Sequence, residues 1–129
     1  MSLTIESCNH VSVQTKRLED SLRFYVDVLG AKPISRPAFS FRGAWLYIGG
    51  IQIHLIEDEA AGDPGGEIYT RAAHVAFATP DVDEAERRLI QMGVPYKRKL
   101  IADRGVHQLF VHDPDGNMIE VGKYGRIDE

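Results

Sequence analysis

The sequence has little cysteine, no long apolar run and no excess of basic residues. Cys8 is the single cysteine among 129 residues, so an internal disulfide is impossible, which is typical of the reducing cytoplasm. No apolar run approaches the ~20 residues of a membrane-spanning helix, and no charged-then-apolar signal segment opens the chain. The formal net charge of −4 argues against non-specific nucleic-acid binding. These absences predict a cytoplasmic protein that binds neither membranes nor nucleic acid.

The composition is that of an ordinary globular chain. Apolar residues make up 43% and charged residues 26% of the sequence, which is enough apolar material for a packed core. The length fits one domain, or two small halves that share one core. We therefore expect a single domain over residues 1–129.

The stretch from Phe110 to Val121 contains the clearest local signal. Its centre, Asp113-Pro114-Asp115-Gly116, has the residues of a tight turn, and apolar runs on both sides predict a β-hairpin. In the returning strand, Glu120 is a carboxylate in the middle of apolar residues. Such a carboxylate is seldom buried without a partner, so Glu120 is a candidate site residue.

The two halves of the chain repeat one pattern of a strand, a helix and about three strands. About the same interval separates three pairs of corresponding positions: His10 and His74, Leu29-Gly30 and Met92-Gly93, and His54 and Glu120. The predicted elements of the first half are a strand at 5–15, a helix at 18–29, and a hairpin of 44–48 and 51–56 around Gly49-Gly50. Those of the second half are a strand at 72–79, a helix at 81–92, a strand at 94–100, and a hairpin of 106–111 and 117–124.

The repeat predicts an α+β protein of two βαβββ modules that form a cupped mixed sheet. Module one covers about residues 5–58 and module two about 72–124, with a polar, Gly-rich linker at about 59–71. A four-stranded sheet with one helix has one uncovered face. Pairing two such modules closes these faces into a cleft.

Four potential ligands point into this cleft if the apolar alternates pack on the helices: His10, His54, His74 and Glu120. Imidazoles and a carboxylate suit a divalent Zn, Ni, Co, Mn or Fe ion, and an incomplete shell is typical of a catalytic site. Each residue also has a structural interpretation. A lone strand histidine is usually hydrogen-bonded or exposed, and Glu120 could instead pair with Arg71 or Lys123.

Other residues of the cleft keep two interpretations. Strand alternation does not settle whether Gln108 and Phe110, or Leu109 and Val111, share the face of the site. Trp45, Tyr47 and Phe110 belong to the core or line an apolar pocket. The remaining candidates are peripheral: His107 and His112 as surface or outer residues, and Lys97-Arg98-Lys99 as a solvated edge that could attract an anionic substrate.

Several segments in this order resemble the vicinal oxygen chelate superfamily, over about residues 5–124. They are Asn9-His10-Val11, the helix that ends at Leu29-Gly30, Ala73-His74-Val75-Ala76, and the run from Asp113 to Glu120. The resemblance implies a glyoxalase-like fold and metal ligands at His10, His54, His74 and Glu120. Glyoxalase I has a carboxylate where this chain has His54, and methylmalonyl-CoA epimerase has an amide there. Fosfomycin-modifying members use three ligands, which match His10, His74 and Glu120.

The resemblance implies a metal-dependent lyase, isomerase or transferase that acts on a small oxygen-rich substrate. Glu120 would be a ligand and possible base, and His54 either the fourth ligand or a free base. An Fe(II) extradiol-type dioxygenase is one alternative, and a small-molecule binding protein without turnover is another. Family members of this length resemble homodimers with shared sites, in which His10 and His54 of one chain meet His74 and Glu120 of its partner.

Overall fold

Two four-stranded sheets, one from each half of the sequence, form the framework of the computed structural model, which describes residues 1–125. The strands of the first sheet are β1 (His10–Thr15), β2 (Lys32–Ile34), β3 (Gly43–Ile48) and β4 (Ile51–Glu57), in the order β1-β4-β3-β2. Those of the second are β5 (His74–Ala78), β6 (Lys97–Ile101), β7 (Val106–His112) and β8 (Met118–Lys123), in the order β5-β8-β7-β6. In each sheet the first pair is parallel and the others are antiparallel. The predicted α+β class and the repeat of βαβββ units are confirmed.

Each unit has one main helical segment, and glycine ends both. Helix α1 (Leu18–Arg23) continues into a π-helical turn at Phe24–Val28, and Gly30 follows with a positive φ of 81°. Helix α2 (Val82–Met92) begins with the Asp81 carboxylate accepting a hydrogen bond from the Glu84 amide at 3.0 Å. A left-handed Gly93 ends it. The helix predicted at 18–29 is therefore present, but its second half has the wider π pattern.

Three strands are shorter than the sequence predicts. The strands expected at 5–15, 72–79 and 94–100 are formed by His10–Thr15, His74–Ala78 and Lys97–Ile101. β2 contains Pro33 and lies at the edge of its sheet, where a missing N–H is tolerated. Because Pro33 interrupts the apolar alternation, the sequence did not predict the position of this strand.

The covered faces of both sheets contribute to one apolar core. Its sheet residues include Val13, Leu46, Ile53, Leu55, Leu109, Val111 and Ile119, and its helical residues include Leu18, Tyr25, Val82 and Leu89. The opposite faces, which we call the open faces, present the polar alternates. No helix formed by residues 1–125 is long and apolar enough to cross a membrane.

A polar contact also joins the two halves, through the turn between β7 and β8. Asp115 is buried and accepts hydrogen bonds from the Lys16 amide at 3.0 Å, Arg17 at 2.8 Å and Ser21 at 3.1 Å. The Tyr25 hydroxyl donates to Asp113 at 2.8 Å. The two turn aspartates thus bind the β1–α1 region of the first half.

Candidate metal centre

Strand register places the four predicted ligands on the open faces of the two sheets. On the first sheet, His10 lies opposite Gln52, and His54 lies opposite Trp45. On the second, His74 lies opposite Met118, and Glu120 lies opposite Phe110. Because strand side chains alternate, His10 and His54 share one face and His74 and Glu120 share the other.

The first pair belongs to a stack of three rings. The ring of His54 lies 4.0 Å from that of His10 and 4.1 Å from that of Trp45, with nearly parallel planes. Nδ1 of His10 lies 2.8 Å from Oδ1 of Asn9, and Nε2 of His54 lies 2.8 Å from Oε1 of Gln52. Ring nitrogen lone pairs lie in the ring plane, so those of two parallel rings do not converge. Binding one ion with both imidazoles requires one ring to rotate.

The environment of His54 favours its neutral form. Burial lowers the pKa of His54, and the nearby His10 lowers it further. Removing a charged imidazole from water is unfavourable, and a second imidazole adds repulsion when both are protonated. At neutral pH, His54 therefore retains a lone pair that can accept a metal ion or a proton.

The second pair is a direct contact between an imidazole nitrogen and a carboxylate oxygen. Nε2 of His74 lies 3.0 Å from Oε1 of Glu120, whose side chain is 4% exposed. Nδ1 of His74 lies 2.6 Å from the carbonyl oxygen of Ala72, which only accepts, so Nδ1 carries the proton. In neutral His74 the Nε2 lone pair faces the carboxylate, and a cation or a second proton must lie between them.

The other oxygen of Glu120 is held by two donors. Nε2 of Gln108 donates to Oε2 at 3.1 Å, and the Tyr124 hydroxyl donates to the same atom. Gly122 makes room for Tyr124, because a Cβ there would lie 2.8 Å from its hydroxyl oxygen. Burial raises the pKa of Tyr124, and its hydrogen bond to Glu120 raises it further. Tyr124 therefore remains a donor, and Oε1 remains directed at His74.

One buried polar atom beside this carboxylate has no partner. Oε1 of Gln108 is buried and makes no hydrogen bond to any part of the described chain. The side-chain amide of Gln108 has one favourable orientation, because the flipped orientation would place Oε1 instead of Nε2 against the Glu120 carboxylate. An unsatisfied buried acceptor costs about 1–3 kcal/mol. Oε1 of Gln108 can therefore accept a hydrogen bond from a donor beside the second pair.

The second pair fits a divalent ion in its chemistry. One imidazole nitrogen and one carboxylate oxygen are borderline ligands. Nε2 of His74 and Oε1 of Glu120 lie 3.0 Å apart, close enough for both to contact one ion. The hydrogen bond from His74 to Ala72 is also the kind of contact that orients a ligand histidine.

The structure does not bring the two pairs together within one chain. Among residues 1–125, no group of three or more His, Cys, Asp or Glu side chains lies close enough to hold a metal ion. Side-chain contacts join His10 to His54 and His74 to Glu120, so each sheet carries half of the predicted ligand set.

Several alternatives left open by the sequence are now decided. Glu120 contacts His74, Gln108 and Tyr124, so the alternative of Arg71 or Lys123 as its partner is wrong. Register places Gln108 and Phe110 on the face of Glu120. Leu109 and Val111 are in the core instead.

The peripheral candidates lie outside the two pairs. Nδ1 of His107 contacts Arg98 at 2.9 Å, and His112 packs against Gly65. Lys97 and Lys99 are exposed, whereas Arg98 is half-buried and pairs with Asp83 and Glu86. Phe110 is buried, and Tyr47 is 48% exposed.

Of the two residues that hold Glu120, sequence reasoning missed Tyr124 and left the position of Gln108 open. Tyr124 lies four residues after Glu120, on the same strand face, with Gly122 between them. Because residues four positions apart in extended chain point to the same side, this spacing could have identified Tyr124 as a neighbour of Glu120. Gln108 is on another strand, and its contact depends on the pairing of Gln108 with Gly122. Register of this kind is not fixed by alternation alone.

Comparison with known proteins gives a family match over most of the chain. The family described as Glyoxalase/Bleomycin resistance protein/Dioxygenase superfamily matches residues 7–121. A similar solved structure is that of a glyoxalase family protein from Bacillus anthracis, with a TM-score of 0.81 and 26% identity. It covers 97% of this chain and 100% of that chain.

Relatives with different named activities also match. Glyoxylase I 4 from Arabidopsis thaliana is 40% identical over 127 residues, 92% of this chain and 71% of the relative. Metallothiol transferase FosB from Lysinibacillus sphaericus is 28% identical, over 92% of this chain and 82% of the relative. Biphenyl-2,3-diol 1,2-dioxygenase 3 from Rhodococcus globerulus is 30% identical, over 87% of this chain and 60% of the relative.

Proposed function

This chain belongs to the Glyoxalase/Bleomycin resistance protein/Dioxygenase superfamily, and we propose that it is a metal-dependent lyase, isomerase or transferase. Its substrate would be a small oxygen-rich molecule. The proposed ligands are His10, His54, His74 and Glu120. The observation that carries the proposal is the contact between Nε2 of His74 and Oε1 of Glu120 at 3.0 Å, which brings together an imidazole nitrogen and a carboxylate oxygen, two ligand types of divalent transition metals.

The ion would be Zn, Ni, Co, Mn or Fe, since the donors are imidazole nitrogens and a carboxylate oxygen. When bound, it would supply Lewis acidity to two neighbouring oxygens of the substrate. The remaining chemistry belongs to the chain. Tyr124 and Gln108 hold Oε2 of Glu120 and so orient its Oε1. His54, neutral at physiological pH, either completes the ligand set or accepts a proton from the substrate.

We further propose that the complete site forms between two chains. The basis is the separation of the pairs, one on each sheet of a single chain. In a symmetric homodimer, the open face of the first sheet of one chain can meet the open face of the second sheet of its partner. Each dimer would then contain two identical sites.

Mixing two disabled chains tests the ligand set and its sharing together. His10→Ala/His54→Ala removes one pair, and His74→Ala/Glu120→Ala removes the other. Each homodimer is expected to bind little Zn. After partial unfolding and refolding of the mixture, a heterodimer has one intact and one empty site. Native mass spectrometry should therefore show one Zn per heterodimer.

The other outcomes of this test are equally informative. Heterodimers without Zn would mean that each site belongs to one chain. Homodimers that retain full Zn would place the site elsewhere. His107→Ala is the matched control, because His107 lies on the second sheet but outside the proposed ligand set, against Arg98. It should keep one Zn per chain.

A dioxygenase is the second candidate, because His10, His74 and Glu120, without His54, would form the two-histidine, one-carboxylate set that Fe(II) oxygenases use. The metal that co-purifies with the protein separates the two enzymes. Iron together with oxygen consumption would favour the dioxygenase, whereas a redox-inert ion favours Lewis-acid chemistry. Ligand binding that needs no ion would favour a binding protein without turnover.

A further inference from the structure

Five rings form a continuous row over the open face of the first sheet. We call His10, His54, Trp45, Phe39 and Phe41 the aromatic row. After the stack of His10, His54 and Trp45, the ring of Phe39 lies 6.1 Å from that of Trp45, and Phe41 stacks on Phe39 at 5.1 Å. The row therefore runs from two proposed metal ligands into the loop between β2 and β3.

A guanidinium group lies at the far end of this row. The guanidinium carbon of Arg36 is 4.9 Å from the ring centre of Phe39 and 5.0 Å from that of Phe41. Nη2 of Arg36 also donates to the carbonyl of Phe41 at 2.8 Å. These contacts hold the charge in place over two apolar rings.

Arg36 differs from the paired arginines of this chain. Five arginines form ion pairs with carboxylates: Arg17, Arg23, Arg42, Arg88 and Arg98. Within residues 1–125, the contacts of Arg36 are with the two rings and a carbonyl, and none is with a carboxylate. Its charge is therefore available to an anionic ligand.

The floor beneath this guanidinium is kept clear by Gly43. A Cβ at Gly43 would lie 3.1 Å from Nη2 of Arg36 and 2.3 Å from the carbonyl oxygen of Leu55, so no side chain can stand there. Gly43 precedes Trp45 by two residues on β3, which is about 7 Å along the strand. That separation is close to the length of a benzene ring with a carboxylate attached.

Phe39 and Phe41 also leave much of their apolar surface in water. They are 44% and 42% exposed, although both are positioned by stacking. A flat apolar molecule that lies on these rings would remove this surface from water. An aliphatic chain of the same length would cover less of it and would stack less well.

We propose that the substrate is an aromatic carboxylate, with its ring along Trp45 and Phe39 and its carboxylate paired with Arg36. Its other end carries two neighbouring oxygens. Their position beside His10 and His54 rests on the proposed metal function, whereas the ring and carboxylate contacts do not. A guanidinium binds a carboxylate through two parallel hydrogen bonds, so Arg36 would select for the negative end.

Three small molecules separate the parts of this proposal. 4-Carboxymandelate has neighbouring oxygens, a ring and a distal carboxylate. Mandelate lacks the distal carboxylate, and 2-hydroxyadipate lacks the ring. Calorimetry would give the dissociation constants for metal-free and Zn-loaded protein. Trp45 is the single tryptophan of the chain, so its fluorescence reports binding at this place.

We expect 4-carboxymandelate to bind at least about tenfold more tightly than either analogue, the effect of one charged contact. Arg36→Gln should remove the preference over mandelate and leave mandelate binding unchanged. Phe39→Leu should weaken both aromatic ligands more than 2-hydroxyadipate, which loses only the support that Phe39 gives to Arg36. Arg42→Gln is the matched control, because Arg42 is close in sequence but already pairs with Glu19 and Glu57. It should change no affinity more than twofold.

Equal affinities for 4-carboxymandelate and mandelate would overturn the inference, as would an unchanged preference in Arg36→Gln or no binding of 4-carboxymandelate. Failure of the metal proposal looks different. If the preference for 4-carboxymandelate depends on Arg36 but Zn does not change its affinity, the result would support the aromatic carboxylate site and contradict the metal role. Zn-strengthened binding without discrimination among the three ligands would support the metal and overturn this inference.

Discussion

At the scale of single residues, the contact of His74 with Glu120 gives the chain its clearest chemical feature. Nδ1 of His74 donates to the carbonyl of Ala72, and Nε2 faces Oε1 of Glu120. Gln108 and Tyr124 occupy the second oxygen of the carboxylate. The arrangement orients one oxygen and one nitrogen toward each other, at a place where a proton or a metal ion can lie between them.

Tyr124→Phe tests whether this orientation matters for metal binding. Loss of an outer hydrogen bond to a ligand typically weakens metal affinity by about 10–100-fold, and we expect a loss in this range. Competition titration with a Zn chelator measures it. Tyr69→Phe is the control, since Tyr69 is 65% exposed and lies in the linker. Equal Zn affinity in Tyr124→Phe and the wild type would contradict the role assigned to Tyr124.

His54→Gln and His54→Ala together decide whether His54 is a ligand. The glutamine amide retains an oxygen that can bind an ion, whereas alanine retains nothing. We expect His54→Gln to keep stoichiometric Zn and change turnover. We expect His54→Ala to lose at least about tenfold in Zn affinity, no less than an outer group would cost. Wild-type Zn affinity in both variants would assign His54 to proton transfer or structure instead.

At the scale of the elements, the turn at residues 113–116 does more than reverse the chain. Burial alone would raise the pKa of Asp115, but hydrogen bonds from Thr15, the Lys16 amide, Ser21 and Arg17 together hold it below its ordinary value. The side chain of Asp115 is fully buried against Arg17. The turn therefore fixes the second hairpin to the β1–α1 region of the first half.

Asp115→Asn should lower the free energy of unfolding by about 2–3 kcal/mol at pH 7, the value of hydrogen bonds to a charged group. Because the folded pKa lies below the ordinary value, this stabilisation is complete above about pH 4 and is lost as pH falls further. The difference from wild type should shrink accordingly. Urea unfolding from pH 7 to pH 3 measures it.

Asp63→Asn provides the comparison for that experiment. The Asp63 side chain is 82% exposed and pairs with Lys16, so its loss should change stability by no more than about 0.5 kcal/mol. If Asp115→Asn behaved like Asp63→Asn at pH 7, the contact between the halves would not stabilise the fold.

Most elements were predictable because their signals are local. Glycine and aspartate at helix ends, the Gly49-Gly50 turn and the alternation around His10 and Glu120 depend on neighbours in sequence. The π-helical turn at Phe24–Val28 and the edge strand β2 were not predictable in the same way. The first shares the apolar spacing of an α-helix, and the second contains Pro33, which is acceptable only at a sheet edge.

At the scale of the whole molecule, strand alternation predicted the faces of the ligands but not their separation, which the family resemblance alone implied. Alternation places His10, His54, His74 and Glu120 on open faces, and the register confirms these faces. Whether two faces meet depends on how the sheets pack. That packing follows from the shared core and the turn contacts of Asp113 and Asp115, which involve residues about 90 positions apart.

The stoichiometry of metal follows from the proposed assembly. We expect a homodimer that binds two Zn ions, or one per chain, because each site uses one half of each protomer. Sedimentation equilibrium and metal analysis of the same sample measure both quantities. A monomer that binds one Zn with full affinity would show that the two sheets close within one chain.

Anomalous diffraction from crystals of the Zn-loaded protein tests the central claim most directly, because it locates the ion. We predict one peak per chain between Nε2 of His74 and Oε1 of Glu120, with His10 and His54 of a second chain completing the ligand set. A fully occupied Zn peak elsewhere, with His74 and Glu120 still in direct contact, would contradict the account.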